Sequence, residues 1–104
     1  MLKISTVEIR NQRRLVLEGK LIAPWTTELR SACENAKENL EGHELVIDLK
    51  DLTFISQQGE YVLSALINEG IKVRSSGVFG KQVVRQLARQ ARKQFLEPTS
   101  GGQT

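Results

Sequence analysis

Apolar and polar residues alternate from the start of the chain. Leu2 and Ile4, then Val7 and Ile9, form two alternating pairs whose phase slips once, which predicts a bulged strand over 2–10. Asn11-Gln12 has the length of a hairpin loop, and Leu15-Val16-Leu17 begins a second strand ending near Gly19. Two strands this close in sequence pair antiparallel. Pro24 suits the first turn of a helix, where its missing N–H is not needed. From there, apolar residues at 25, 29, 32, 33, 36 and 40 fall within one arc about 100° wide, with Gly42 as the C-cap.

Leu45-Val46-Ile47-Asp48-Leu49 is a nearly continuous apolar run, the mark of a strand covered on both faces. A loop over 51–56 follows, then a short helix over Tyr61 to Ile67, apolar at six of seven positions and closed by Gly70. Ile71-Lys72-Val73-Arg74 alternates and reads as an edge strand, and Gly77 and Gly80 mark a turn. The last helix runs from about Lys81 to Phe95, with Val84, Leu87, Ala88, Ala91 and Phe95 on its core face. The order β-β-α-β-α-β-α predicts a small α/β fold, a mixed four-stranded sheet with three helices packed on it. Residues 1–96 form one domain, and the apolar-poor segment 97–104 is expected to be a disordered tail.

Composition narrows the chemistry. At 104 residues one modest core is available, about 65% of the unfolded surface being buried at this size. His43 and Cys33 are the only residues of their types. One histidine and one cysteine leave almost nothing for a catalytic triad or a zinc site, so no catalytic residue, metal site or cofactor is expected, and an enzyme is the least favoured class. The lone cysteine and the absence of a signal peptide after Met1 point to the cytoplasm. No apolar stretch is long enough to span a bilayer.

Charge is uneven. Residues 1–69 hold eight Lys/Arg against eleven Asp/Glu, whereas residues 70–96 hold seven basic residues and no acid. Within that span Lys81, Arg85, Arg89 and Lys93 are spaced by four and line one helix face, where like charges repel. Most such runs are simply solvated. This one is a possible contact face for an acidic protein, nucleic acid or anionic headgroups. No aromatic platform for bases is interleaved, which ranks nucleic acid below protein.

Other candidates read blandly. Asp48 and Asp51 are expected at a strand end and in a turn, Cys33 and Trp25 in the core, and His43 in a solvated loop. Ser56 reads as the N-cap of the helix that follows it. The Gly77-x-x-Gly80 pair lacks the remainder of a phosphate loop.

Three segments carry a resemblance: Leu17-Glu18-Gly19-Lys20-Leu21, the stretch from Val46 to Gly59 with Asp48-Leu49 and Phe54-Ile55-Ser56-Gln57-Gln58-Gly59, and Val84-Arg85-Gln86-Leu87. In this element order they resemble the STAS family, the domain type of bacterial anti-sigma-factor antagonists. The resemblance implies a partner-binding loop and helix start at Ser56, Gln57, Gln58, Gly59, Glu60 and Tyr61. Aligned on Gly59, the family's phosphorylatable Ser/Thr falls on Gln58, the preceding Ser on Gln57 and the loop Asp on Ser56. The aspartate after the Gly-acid-Leu segment falls on Ile22. The implied function is therefore a non-catalytic regulator in bacterial transcription control that binds its partner, an anti-sigma factor or kinase-like protein, without a phosphorylation switch. The alternatives are an accessory subunit contacting the ATPase of a bacterial lipid-transport ABC complex, and a polyanion binder using the basic helix.

Overall fold

The computed structural model describes the backbone of residues 1–101 and the side chains of residues 1–90. Its elements are β1 (Leu2–Ile9), β2 (Gln12–Leu21), α1 (Trp25–Lys37), β3 (Glu44–Ile55), α2 (Gln57–Asn68), β4 (Lys72–Arg74) and α3 (Val78–Gly101). The four strands form one mixed sheet in the order β1-β2-β3-β4, with β1 antiparallel to β2 and the other pairs parallel. The expected α/β fold and element order are present. The parallel steps from β2 to β3 to β4 run in one direction, so right-handed crossovers lay α1 and α2 on the same face.

That face holds the core. Leu15, Leu17 and Leu21 of β2 and Leu45, Ile47 and Leu49 of β3 meet Leu29 and Cys33 of α1 and Leu63 and Leu66 of α2. Val46 and Asp48 alternate with these residues, lie on the opposite face, and are buried as well. The apolar run in β3 thus marks the strand covered on both sides. β4 is a three-residue edge strand.

Several boundaries differ from the pattern. The β1–β2 register is unbroken from Leu2↔Gly19 to Ile9↔Gln12, so β1 has no bulge. Val7 and Ile9 change face relative to Leu2 and Ile4 and are each 39% exposed, a position an edge strand tolerates. The irregularities fall instead between β2 and β3, at Val16/Glu18 and Gly19/Lys20. β3 also continues through the predicted loop to Ile55, because β2 runs on to Leu21 and offers backbone partners to Leu52, Phe54 and Ile55. Asp48 and Asp51 therefore both lie within β3, rather than at a strand end and in a turn.

The first helix ends at Lys37, with Glu38 rather than Gly42 as C-cap. Arg13 of β2 explains the early stop. Its guanidinium donates to the carbonyls of Ala36, Glu38 and Asn39, which the helix end leaves without intrahelical donors. The chain then turns through left-handed Asn39, Glu41 and Gly42, and His43 is half-buried with Nδ1 at 2.8 Å from the Leu40 carbonyl. The second helix does end as expected. Gly70 is left-handed, its N–H donates to Ile67, and Ile71 donates to Leu66, the paired bonds of a Schellman stop.

α3 begins at Val78 and packs mainly against β3. Its core contacts are Val83 and Leu87, with Val84 half-buried and Ala88 exposed. The predicted core face was rotated by one residue, because Gly77 and Gly80 bring the helix start against the backbone of Leu49 and Lys50. The helix extends to Gly101, past the expected end at Phe95. The side chains of Ala91, Lys93 and Phe95 lie outside the described residues, as do tail residues 102–104. No helix among the described residues is long and apolar enough to cross a membrane.

Cys33 is fully buried in α1, and burial pushes its thiol up from an ordinary value near 9.0 to about 11. At pH 8 its thiolate population is then roughly 100-fold below that of a free cysteine. Alkylation by iodoacetamide at pH 8, followed by intact mass, should leave the folded protein unlabelled and label it fully in denaturant. Rapid labelling without denaturant would contradict the packing of α1. The same raised value makes any stability linked to this group complete below about pH 9 and lost as pH rises toward 11.

Candidate functional site

The strand-to-helix junction at Ser56 is built by a cap and a close approach. Ser56 has extended backbone, and its Oγ accepts a hydrogen bond from Gly59 N–H at 3.1 Å. This is the N-cap arrangement expected of a serine before a helix. The same hydroxyl lies 3.4 Å from the Leu21 carbonyl, to which Ser56 N–H donates at 3.1 Å. Gly59 faces this contact directly: a Cβ there would stand 2.6 Å from the Leu21 carbonyl oxygen and 2.8 Å from Ile55. Only glycine lets α2 approach the end of β2 so closely. The other nearby hydroxyl, Thr53 Oγ1, donates to the Gly19 carbonyl at 3.0 Å. Both loop hydroxyls are thus engaged with backbone groups.

The residues that face outward are amides and aromatics. Gln57 and Gln58 are exposed on the first turn of α2, and Tyr61 on the next turn is 70% exposed. Phe54, on the last residues of β3, is 50% exposed. It lines a depression of about 210 Å³ with Glu60 of α2 and Phe79, Val83 and Gln86 of α3. Val78, next to Phe79, is 79% exposed. The structure therefore gathers Gln57, Gln58, Glu60 and Tyr61 at one helix start and adds an apolar border from two other elements. Sequence reasoning missed Phe54, Val78 and Phe79, because Phe54 was placed in a loop and the start of α3 was set three residues late. Two large apolar residues beside turn glycines were the available signal.

The basic stripe divides. Lys81, Arg85 and Arg89 are exposed, as expected for that face, while the side chain of Lys93 is outside the described residues. Lys81 and Arg85 line a groove of about 870 Å³ beside β4, which also takes Lys72 and Arg74. Arg89 is not among its described lining residues. The fold thus brings cations from β4 and α3 to one groove, a grouping that spacing along α3 could not reveal. Lys72 is paired with Glu44 at 2.7 Å, and this contact holds the Glu44 carboxyl below its usual range.

The remaining charges make local supports. Glu69 at the end of α2 accepts from Lys37 at 3.1 Å and Arg30 at 3.3 Å, both of α1, and its carboxyl is held low by these bonds. Asp48 is buried at 5% exposure, with Arg14 Nη1 at 3.7 Å from Oδ2. No described group donates to its Oδ1. Among the described residues no three of His, Cys, Asp and Glu gather where they could hold a metal ion. No model of a known protein family matches this chain, and no curated protein matches it either.

Proposed function

We propose that this chain is a non-catalytic protein-binding domain of the STAS type, acting as an anti-sigma-factor antagonist-like regulator through the start of α2. The observation that carries this reading is the exposure of Tyr61 together with Gln57 and Gln58 at the start of α2, and of Phe54 beside Glu60 of the same helix. Exposed aromatic side chains beside uncharged amides are the residue types that anchor protein interfaces, because they bury large area at low entropic cost. The family-like position of the phosphorylated hydroxyl holds an amide, Gln58, and the retained hydroxyls of Ser56 and Thr53 serve backbone groups. Binding is therefore constitutive in this proposal, with an anti-sigma factor or kinase-like regulator as the partner.

The test uses the kinase-like protein encoded nearest the gene. The wild-type chain should bind it with the same affinity with and without ATP, and intact mass should show no added phosphate. Phe54→Ala and Tyr61→Ala together should weaken binding at least about tenfold without moving the thermal midpoint, the loss expected of interface anchors. Stoichiometric phosphate on Ser56 or Thr53 would overturn constitutive binding. Unchanged affinity in the double variant would remove the α2 start as the docking face. Stable co-elution with a transport ATPase instead would assign the same surface to an accessory transport subunit.

A further inference from the structure

We propose that the groove beside β4 binds a single-chain amphipathic anion, an alkyl or acyl chain ending in a phosphate or carboxylate. This site is separate from the α2 start and does not rest on the function proposed for it. Its volume, about 870 Å³, lies within the range of small-molecule sites, roughly 300–1,000 Å³. Its lining is of two kinds. Ile67, Val73, Val84 and Ala88 supply an apolar floor, and Lys72, Arg74, Lys81 and Arg85 supply the charged border.

The charge is not neutralised within the described structure. Among the described residues Glu44 forms its ion pair with Lys72, and Arg74, Lys81 and Arg85 have no carboxylate within ion-pair distance. Cations from two elements therefore share one concave site, which concentrates positive potential over apolar surface. An anion alone would satisfy the border and leave the floor wet. An uncharged apolar chain would cover the floor and leave the cations unpaired. A molecule carrying both parts satisfies each. A nucleotide fits less well, because no aromatic side chain is among the groove's described lining residues to stack on a base. Strand addition by an acidic peptide is also disfavoured, since β4 offers only three residues and two are charged, a common guard against edge pairing.

Isothermal titration of the full chain with dodecyl phosphate, below its micelle concentration, tests the proposal. Saturable one-to-one binding is expected, with inorganic phosphate and neutral decyl maltoside each at least tenfold weaker. Lys81→Glu with Arg85→Glu should weaken dodecyl phosphate at least tenfold by removing the border. Ala88→Trp should do so by filling the floor. All three positions are exposed, so the thermal midpoint should stay unchanged in both variants. Equal affinity for inorganic phosphate would reduce the site to a surface anion patch and overturn the proposal. So would undiminished binding in Ala88→Trp, or binding only to phosphatidylglycerol vesicles, which would make the groove part of a general membrane-attracted surface.

Discussion

Ile47→Ala should lower the unfolding free energy by about 3–4 kcal/mol, within the range for truncating a buried isoleucine. Ile47 is fully buried at the middle of β3, opposite Leu15 of β2 and Val73 of β4. The core leucines come from three strands and three helices, so the void cannot close by moving one element. The cavity term then adds to the lost transfer free energy. For a domain of this size each kcal/mol is worth about 4–8 °C, so the thermal midpoint should fall by at least 12 °C or so. Val7→Ala is the control: Val7 is 39% exposed, and its loss should cost under about 1 kcal/mol. Urea denaturation of both variants gives the comparison. A cost below 1 kcal/mol for Ile47→Ala would show that β3 is not the centre of the sheet.

The second large effect concerns a charge. Arg14→Leu should destabilise by about 3 kcal/mol, while Asp48→Leu should be neutral or stabilising. Asp48 is buried mid-strand, and Arg14 is its ion-pair partner at 3.7 Å. Removing the arginine leaves a buried carboxylate without its counter-charge. Removing the carboxylate instead leaves an arginine that is partly exposed and can turn to water. The double variant should therefore recover most of the stability lost in Arg14→Leu. The neighbouring Arg74, aligned with Asp48 across β3 and β4, is placed to replace Arg14. A loss under 1 kcal/mol in Arg14→Leu would mean that Arg74 takes over. Denaturant midpoints of the three variants decide between these outcomes.

The two proposed sites differ in how far they could be read from sequence. Ser56 was legible as a cap because capping is local: one oxygen, one N–H, three residues apart. Gln57, Gln58, Glu60 and Tyr61 follow from it, being on the same helix. Phe54 and Phe79 are 25 positions apart and meet only because β3 runs on to Ile55 and α3 starts at Val78. The groove cations show the same limit. The acid-free span from 70 to 96 was plain, but its division between β4 and α3 was not.

The sequence by itself determined the element order and the fold class. The apolar run of β3, the amphipathic arc of α1 and the stop at Gly70 each arise from contacts within a few residues or from simple periodicity. Tertiary structure decided the rest, because those features depend on groups distant in sequence. Arg13 ends α1 from a distant strand by donating to the carbonyl of Ala36 and to those of Glu38 and Asn39 just beyond the helix. The extension of β2 to Leu21 carries β3 to Ile55, since a strand persists where a neighbour offers hydrogen bonds. Close backbone contact at Gly77 and Gly80 sets the rotation of α3, which selects Val83 over Ala88 for the core. The same placement sets Lys81 and Arg85 across from Lys72 and Arg74, and no pattern along one helix can specify what stands on the far side of a groove.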